Sequence, residues 1–507
     1  MSSGLSVVCI GAGPAGLTAG YLLSKTGAGV TVLEADPVYV GGISRTATYK
    51  NFAFDIGGHR FFSKSQEVEQ LWDELLGDDF LERPRKSRIY YRGKLFDYPL
   101  RAFDALSKLG IVEAARCVLS YARVRIAPAG EPRNFQEWVT AKFGRRLFEI
   151  FFRTYTEKVW GMPCTEISAD WAAQRIKGLS LSKAIWHSLL PQKSGQPREA
   201  TIKTLIDSFR YPRRGPGMLW EAAAAKIAAN GGSVHLGETV VGVARQPAGG
   251  WQVTSQAADG SRRSFACDHV ISSMPMKALS GALSPPVPAP VAEAAAALRY
   301  RDYLVVALIL KDRHLFDDNW IYIHDPEVKV GRIQNFKSWS PEMVPDPSLN
   351  CYGLEYFCFE GDGLWTSTDA DLLALAQAEL IKLGLGQAED IIDGTVVRQP
   401  KAYPVYDANY QTHVETMRAA FDADYAGLHL VGRNGMHKYN NQDHAMMTAM
   451  LTVQNILAGH QVYDVWCVNQ DAEYHKAGAA GAERRLDADH RAVLSGERLV
   501  PMRQAAE

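Results

Sequence analysis

Three glycines and one acid near the start of the chain are the first residues whose types and spacing could do chemistry. Gly11, Gly13 and Gly16 follow the Gly-x-Gly-x-x-Gly spacing, and Glu34 comes eighteen residues after the third glycine. Such glycines permit a tight turn, a close approach of the backbone to a pyrophosphate and close helix packing, and the acid can accept a hydrogen bond from a ribose hydroxyl. This spacing predicts a dinucleotide-binding loop, with Ala15 among the residues that contact the cofactor.

Two glycine pairs follow this loop. The stretch "VGGISRT" contains Gly42 and Arg45, and "FDIGGHRFF" contains Gly57 and Gly58. Paired glycines let the backbone come close to a large flat ligand, and Arg45 could bind a phosphate. Ordinary turns are the alternative explanation. On the first loop alone both NAD and FAD remain open, and the glycine pairs favour the flavin.

Hydrophobic patterning indicates the elements that must position these residues. Leu5–Ile10 and Gly29–Glu34 have the pattern of buried parallel strands around a helix at Ala15–Lys25, which is a βαβ unit. Segments 66–126 and 134–190 have helical periodicity, whereas strand-like runs dominate between residues 303 and 402. Near the C-terminus, "GLHLVGRNGMHKYNNQDHAMMTAMLTVQNIL" has the pattern of a strand, a loop and a helix.

Composition excludes several classes of protein. The 507 residues are 47% hydrophobic and 22% charged, which is typical of a globular enzyme, and 55 basic against 56 acidic residues leave a formal charge of −1. A charge so close to zero predicts neither nucleic acid nor a membrane as a partner. The seven cysteines form no CxxC pair, so no zinc site or other metal site is predicted. With no leader-like or membrane-spanning run, the pattern predicts a cytoplasmic location.

The order of these elements resembles a large flavoprotein clan. In the clan that contains amine oxidases, protoporphyrinogen oxidases and sugar-nucleotide mutases, a Glu–Gly-Gly–Arg stretch follows the first βαβ unit, as it does here. The resemblance implies that the cofactor is FAD. It implies further that Val240 contacts the adenine through its backbone and that "HVISSMP" is another strand of the FAD domain.

The resemblance implies the fold class and the domain organisation. We expect an α/β protein with a Rossmann-like FAD-binding domain of the glutathione-reductase type, a helical insertion and a mixed-sheet substrate domain. The predicted FAD domain is discontinuous and comprises residues 1–65, 200–276 and 425–465. Residues 66–199 form the mainly helical insertion, residues 277–424 the substrate domain, and residues 466–507 a peripheral tail.

Several stretches resemble UDP-galactopyranose mutase, chiefly its eukaryotic-type sequences. They are "DIGGHRFFSK", "KVWGMPCTEISADWAAQRIKG", "FRYPRRGPG", "WIYIHDPEVKVGRIQNFKSWSP", "AYPVYD" and "GRNGMHKYNNQDH". Because they are spread over most of residues 5–460, the resemblance concerns the whole architecture. Within the clan, the chain is also similar to bacterial sequences of the FAD-dependent oxidoreductase type.

This resemblance implies roles for the matched residues. Those implied to contact the substrate are Tyr98, Arg101, Trp171, Arg175, Tyr322, Arg332, Trp339, Tyr403 and Tyr439. Those implied to contact the cofactor late in the chain are Gly432, Arg433, Asn441 and Gln442. The helix that starts near Gln442 would direct its N-terminal amides at the flavin ring and stabilise its anionic reduced form.

The implied reaction needs cations and hydroxyl donors more than acid–base groups. Reduced FAD, with NAD(P)H as a candidate reductant, would use flavin N5 as a nucleophile on the anomeric carbon of an NDP-hexose similar to UDP-galactose. The reaction would interconvert the pyranose and furanose forms of the sugar. Arginine suits the leaving diphosphate because its planar fork binds phosphate oxygens in pairs. The residues predicted to be catalytic are His59, Arg332, Arg433, Tyr403 and Tyr439.

Some of these positions have a structural alternative. His59 could bond only to backbone, and Glu355 in "GLEYFC" either lies beneath an arginine or lies on the exposed face of a strand. Three positions depart from the mutase pattern: Trp339 replaces a tyrosine, Arg101 replaces an amide, and Met436 with His437 replaces a small-aromatic pair. These departures leave the sugar and the nucleotide open.

Competing functions make different demands on the pocket. An oxidase or dehydrogenase of the same clan, acting on an amine, a porphyrinogen or an isoprenoid, should have an apolar pocket or an aromatic cage. The predicted arginines and tyrosines favour an anionic nucleotide sugar instead. A FAD-stabilised protein without catalysis and an NAD-dependent dehydrogenase without flavin are weaker alternatives. Oligomeric state does not follow from the sequence.

Overall fold

The glycine loop follows the central strand of a parallel five-stranded sheet. The computed structural model describes residues 4–63, 65–98, 100, 102–127, 130–169 and 208–468. The strands of the sheet lie in the order Leu428–Leu430, His269–Ser272, Ser6–Ile10, Gly29–Leu33 and Ser233–His235. All four pairings are parallel. This sheet confirms the predicted βαβ unit and the α/β fold class.

Alternate residues of the central strand pack against different layers. Val7 and Cys9 belong to a core formed with helices, whereas Val8 and Ile10 belong to a core that includes a second sheet. The helices of the first layer are Pro14–Ser24, Gln66–Leu76, Gly217–Ala229 and Gln442–Ala458. The second layer contains the strands Arg262–Cys267, Trp251–Gln256, Thr239–Arg245 and Leu283–Ser284, and the helices Met276–Ala282, Ala289–Ala297 and Tyr410–Asp424.

A seven-stranded sheet forms the second half of the fold. Its strands lie in the order Ile391–Pro404, Tyr300–Lys311, Leu349–Cys358, Arg332–Asn335, Trp320–Ile323, Ser87–Tyr91 and Lys94–Asp97. The helices Asp369–Lys382 and Phe336–Trp339 pack on this sheet. Its central strands are almost entirely buried, which places their polar side chains in the interior.

Two strands of this sheet correct a sequence-based expectation. Residues 66–126 were expected to be helical, but Ser87–Tyr91 and Lys94–Asp97 form an antiparallel hairpin. Its two-residue turn, Arg92-Gly93, has positive φ at both residues, which matches the right-handed twist of paired strands. The hairpin is short and lies between helices, so the alternation of apolar and polar residues in its strands is averaged out over a longer stretch of sequence. It brings Ser87–Tyr91 beside Trp320–Ile323 of the predicted substrate domain.

Helices dominate the rest of the insertion. They are Ala102–Leu109, Ile111–Ile126, Phe135–Phe143, Arg145–Phe148 and Thr154–Trp160, with a π-helical turn at Glu149–Arg153. Two small antiparallel pairs join the halves, namely Thr46–Tyr49 with Phe52–Asp55 and Phe80–Pro84 with Ser208–Pro212. The domain boundaries stay a prediction, because strand pairing defines sheets and not domain limits. No helix among the described residues is long and apolar enough to cross a membrane.

Candidate active site

Gly11 and Gly16 hold the first loop in a conformation that other residues would not permit. Gly11 has a φ of +95°, and its amide donates to the carbonyl of Leu33 at 2.7 Å. A Cβ on Gly16 would lie 1.9 Å from the Gly11 carbonyl oxygen. The helix begins at Pro14 with Gly13 as its N-cap, so its first amides face the loop. This arrangement is what an anionic pyrophosphate requires at a helix N-terminus.

Replacing Gly16 tests this loop. We expect Gly16→Ala to lower the free energy of unfolding by about 1–3 kcal/mol, because backbone must move to admit the methyl group. Flavin absorbance of the purified protein should fall with it. The matched control for stability is Gly13→Ala, whose Cβ would meet nothing closer than Gly42 Cα at 3.9 Å; its flavin load is not compared, because Gly13 lines the cofactor cleft. If Gly16→Ala unfolded at the wild-type temperature with a full flavin load, close packing at this position would be disproved.

Glu34 lies at the end of the second strand, beside the loop. One carboxylate oxygen accepts from the Ala12 amide at 2.6 Å, and the other accepts from the Asp36 amide at 2.9 Å. Burial raises the pKa of this carboxyl, and the two amide bonds act in the opposite direction. The acid is therefore held at the point where the sequence predicts a ribose.

A cavity of about 440 Å³, here called the cofactor cleft, extends from the glycine loop. The predicted cofactor residues that line it are Gly11, Gly13, Ala15, Glu34, Gly42, Val240, Gly432, Arg433, Asn441 and Gln442. Sequence reasoning missed a second group in its wall: Ser273, Gln399, Lys401, Ala402 and Asn434. Ser273 and Asn434 follow strands of the five-stranded sheet, whereas Gln399, Lys401 and Ala402 lie within a strand of the seven-stranded sheet, so no local motif identified them.

Two predicted cofactor residues, Gly16 and Arg45, do not line the cofactor cleft but contact residues that do. Gly16 packs against Gly11, as described above. Arg45 Nη1 donates to the Gly42 carbonyl at 2.9 Å and to the side chain of Gln399, and its Nε lies 3.7 Å from Asp36. Arg45 thus supports the second glycine loop, and a direct contact with phosphate stays a prediction.

The cleft residues fit FAD on two observations. Gly13 and Gly42 face each other so closely that a Cβ on Gly42 would lie 3.4 Å from Gly13 Cα, which keeps the backbone exposed where a pyrophosphate would pass. At the other end, the buried Oε1 of Gln442 has no hydrogen-bond partner within the described chain. Gln442 is also the first residue of a 17-residue helix, so polar groups are available there for a heterocyclic ring.

A second cavity of about 180 Å³, here called the arginine pocket, adjoins the cofactor cleft. The two cavities share Arg433, Asn441 and Gln442. All five residues predicted to be catalytic line the arginine pocket, together with Tyr322, Trp339, Gly57 and Gly58. Sequence reasoning did not select its other lining residues, which are Arg60, Phe62, Trp320 and Asp443.

Arg332 is held by a buried carboxylate. Its Nε and Nη2 donate to the two oxygens of Glu355 at 2.5 and 2.8 Å, and Gln334 donates to the same carboxylate at 2.5 Å. Burial alone would lower the pKa of Arg332, but Glu355 raises it well above its ordinary value. Of the two alternatives for Glu355, the structure shows the one beneath an arginine, since its side chain is fully buried.

Arg433 lies against two tyrosine rings. The rings of Tyr403 and Tyr439 are nearly parallel, with centroids 5.5 Å apart, and the guanidinium carbon is 5.1 Å from each centroid. Arg433 also donates to the carbonyls of Asn440 and Ala402 at 2.9 and 3.0 Å. Burial, followed by the neighbouring Tyr439, raises the pKa of the Tyr403 phenol, so the hydroxyl is a donor at neutral pH.

Arg60 is the main site residue that sequence reasoning missed. Its Nη1 is buried and has no hydrogen-bond partner within the described chain. Its guanidinium carbon lies 5.3 Å from the centroid of Trp320, and that of Arg85 lies 5.8 Å from the same ring. Burial and then the like charge of Arg85 lower the pKa of Arg60. A signal was present, because "GGHR" places an arginine directly after the matched histidine.

His59 has both a structural role and a place in the pocket, which the sequence presented as alternatives. Its Nε2 lies 3.0 Å from the Ile56 carbonyl and its Nδ1 3.3 Å from Ser44 Oγ, so backbone and hydroxyl groups orient the ring. The ring nevertheless lines the arginine pocket. Burial, with the nearby Arg433 and Arg332, lowers the pKa of His59 to about 4. The imidazole is therefore neutral at pH 7 and adds no charge to the pocket.

Aromatic side chains enclose the pocket. Trp339 is fully buried, donates its indole N–H to the Asn319 carbonyl at 2.9 Å and stacks on Trp320 with a centroid distance of 5.3 Å. It offers the pocket an apolar edge in place of the hydroxyl of a tyrosine. Tyr98 packs against Tyr322, with ring centroids 4.9 Å apart.

Arg101, Trp171 and Arg175 lie outside the described residues, and their contacts with substrate stay predictions.

A buried acid supports the loop that carries His59. Asp55 is fully buried, and its carboxylate accepts from Thr46 at 3.2 Å and from the hydroxyl of Tyr211. Tyr211 in turn packs on Trp339, with ring centroids 5.1 Å apart. Burial raises the pKa of Asp55 from 3.8 to about 7, although both hydrogen bonds act against the rise.

Asp55 should make stability depend on pH. Because its pKa is higher in the folded chain than in the unfolded chain, folding takes up a proton between pH 4 and 7. This contribution, on the order of 4 kcal/mol, is complete below pH 4 and is lost as the pH rises through 7. We expect Asp55→Asn to flatten the melting temperature between pH 5 and 8. Tyr211→Phe should extend the loss to higher pH, and parallel curves for Asp55→Asn and wild type would contradict the assignment.

Among the described residues, no three His, Cys, Asp or Glu side chains are grouped as a metal ion would require. The polar groups of the arginine pocket are arginines, tyrosines, amides, one histidine and the carboxylate of Asp443. Such a set binds anions and donates hydrogen bonds.

Comparison with known proteins identifies the class. The sequence model of the family described as "Flavin containing amine oxidoreductase" matches residues 14–498. The chain belongs to this family, which confirms the predicted clan and supports FAD as its cofactor.

One curated protein and two solved structures are similar to this chain. A curated protein named "Probable UDP-galactopyranose mutase", from Klebsiella pneumoniae, is 24% identical over 173 residues, which is 32% of this chain and 43% of that protein. The chain thus matches less than half the length of this relative. A crystal structure of reduced UDP-galactopyranose mutase has a TM-score of 0.76 at 22% identity and covers 90% of this chain and 96% of that chain. An oxidoreductase from Methanosarcina mazei has a TM-score of 0.57 at 17% identity and covers 88% and 100%. The predicted likeness to UDP-galactopyranose mutase is confirmed as one of fold.

Proposed function

We propose that the protein is a FAD-dependent nucleotide-sugar mutase that interconverts the pyranose and furanose forms of an NDP-hexose similar to UDP-galactose. The observation that supports this is the arginine pocket itself, which joins the cofactor cleft at Arg433 and carries both cations and phenols. When bound and reduced, FAD would supply a nucleophilic ring nitrogen to the anomeric carbon. NAD(P)H is the reductant that we propose.

The charges of the pocket suit a diphosphate. Three arginines line it, Arg60, Arg332 and Arg433, against the single carboxylate of Asp443. Directly behind the wall, Arg85 and Glu355 have opposite charges. With His59 neutral, the formal excess is two positive charges, which would balance the two negative charges on the phosphates of a nucleoside diphosphate sugar. A neutral amine or hydrocarbon substrate would leave that excess without a counter-charge in a buried site.

Each residue has a distinct task in this proposal. Arg332, held by Glu355, presents a fixed guanidinium to the diphosphate as it leaves the sugar. Tyr403 and Tyr439 donate hydroxyl hydrogen bonds to phosphate oxygens, and Arg433 orients both rings. Trp339 and Trp320 exclude water from the sugar, because water would intercept the activated anomeric carbon.

One observation favours an oxidoreductase acting on an amine. Tyr403 and Tyr439 form a parallel aromatic pair, which is the geometry of a cage for a cation. In this chain, however, the guanidinium of Arg433 already lies 5.1 Å from both rings. A second cation would meet like charge there, so we rank this function below the mutase.

Turnover of NDP-sugars by the reduced protein decides between the two. The purified protein should carry non-covalent FAD, and after reduction with dithionite it should isomerise UDP-galactose or a related NDP-hexose without consuming reductant stoichiometrically. Chromatography of the sugar nucleotides gives the readout, and the oxidised protein is the control. Peroxide formation from an amine or a polyene, without isomerisation, would refute the mutase and support the oxidase. We further propose that the enzyme works in the cytoplasm and supplies polysaccharide synthesis.

A further inference from the structure

One helix of the insertion exposes most of its large apolar residues. It spans Ile111–Ile126 and is here called the outer helix. Its exposed side chains, with their exposed fractions, are Ile111 90%, Ile126 84%, Leu119 70%, Val112 68% and Val118 50%. Among the other large apolar side chains of the described residues, only Val38 and Ile392 are more than half exposed, and neither belongs to this helix.

These residues form a continuous stripe. Positions 111, 115, 119, 122 and 126 recur every three or four residues, so Ile111, Leu119 and Ile126 share one face with two alanines. The opposite face carries the buried Cys117 and packs against the helices Ala102–Leu109, Phe135–Phe143 and Arg145–Phe148. The apolar stripe therefore faces away from the protein, which reverses the usual order for a surface helix.

Positive charge borders the stripe. Arg116, Arg123 and Arg125 are exposed along its edges. The one acid of the helix, Glu113, is partly buried and forms an ion pair with Arg146 at 2.5 Å, besides lying 3.6 Å from Arg116. The negative charge of Glu113 is thus neutralised by Arg146 at the inner face of the helix. The outer surface of the helix presents apolar side chains with arginines and no exposed carboxylate of its own.

We propose that the outer helix docks the protein on an anionic phospholipid surface. An apolar stripe with basic borders lies in the interface plane of such a surface, where arginines meet headgroup phosphates and apolar side chains enter the acyl boundary. A second copy of the chain suits this face less well, because a two-fold contact between outer helices would bring arginines against arginines. The near-zero net charge of the whole chain predicted no membrane partner, but attachment depends on local charge within a Debye length.

Vesicle flotation with the FAD-loaded full chain tests the proposal. We expect the protein to float with vesicles of phosphatidylcholine and phosphatidylglycerol in a 3:1 ratio, and not with pure phosphatidylcholine vesicles. The double variant Leu119→Glu/Ile126→Glu should lower the bound fraction at least about tenfold, since two charges would have to enter the interface. Arg116→Gln/Arg123→Gln should lower it about threefold to tenfold at low salt. The matched control is Leu457→Glu, which charges another half-exposed apolar position, 46% exposed, on the helix Gln442–Ala458.

Three results would overturn the proposal. The first is no flotation of the wild type with anionic vesicles. The second is equal flotation of wild type and Leu119→Glu/Ile126→Glu. The third is a lower melting temperature or a smaller oligomeric state of that variant than of the wild type, without vesicle binding by the wild type, which would make the stripe a contact within the chain or between two copies. Normal flavin content and melting temperature of the double variant show that it is folded.

Discussion

Arg60→Met is expected to weaken binding of UDP to the FAD-loaded protein by roughly 10- to 100-fold. A charge-assisted hydrogen bond contributes about 1.5–3 kcal/mol, which corresponds to that range of dissociation constants. Isothermal titration calorimetry with UDP measures the effect without any need for turnover. The flavin load should stay unchanged, because Arg60 lines the arginine pocket and not the cofactor cleft.

The reason for a large effect is that Arg60 has an aromatic ring but no carboxylate as its partner among the described residues. Arg332 is neutralised by Glu355 and Arg433 is bonded to two carbonyls, whereas Arg60 Nη1 is buried without a hydrogen-bond partner in the described chain. A buried guanidinium in this state is costly until an anion enters. The substitution to methionine should therefore leave the melting temperature unchanged or raise it.

Arg301→Met serves as the matched control for Arg60. Arg301 is also a buried arginine, but it donates to the carbonyls of Val159 and Phe357 at 2.9 and 2.8 Å and does not line the pocket. Its loss should lower the melting temperature and leave the affinity for UDP intact. An unchanged dissociation constant in Arg60→Met would show that this arginine does not meet the diphosphate.

The largest expected effect on stability is that of Arg332→Met. The substitution leaves the fully buried Glu355 carboxylate with the hydrogen bond from Gln334 but without its cation, so the free energy of unfolding should fall by roughly 3–5 kcal/mol. A urea titration followed by tryptophan fluorescence measures the loss. UDP binding should be lost in the same variant.

A double variant separates the structural role of Arg332 from its role in binding. In Arg332→Met/Glu355→Leu the uncompensated carboxylate is gone, so stability should return to within about 1–2 kcal/mol of wild type. UDP binding should stay lost, because the guanidinium that faces the pocket is still missing. If the double variant were as unstable as Arg332→Met, the ion pair would not be the cause, and if it bound UDP normally, Arg332 would have no role in the pocket.

The sequence by itself determined the cofactor half of this protein. Gly11, Gly13, Gly16 and Glu34 act within one βαβ unit, and their demands on backbone conformation and close approach are local. Local demands leave a mark in residue type and spacing. The late motif likewise predicted Arg433, Asn441 and Gln442 as cofactor contacts, and these residues line the cofactor cleft.

Only the tertiary structure decided the charges of the arginine pocket. Glu355 was equally compatible with an exposed strand until the pairing of Arg332–Asn335 with Leu349–Cys358 set it opposite Arg332. The hairpin Ser87–Tyr91/Lys94–Asp97 was missed because its alternation is short. The "GGHR" stretch places Arg60 beside the matched histidine, but only the fold brings it next to Trp320 and Arg85. Whether an arginine is neutralised, and whether an apolar helix face is covered, depends on residues outside the local stretch, as Glu355 is for Arg332, 23 positions earlier. Such contacts are products of sheet order and helix packing, which no short stretch of sequence encodes.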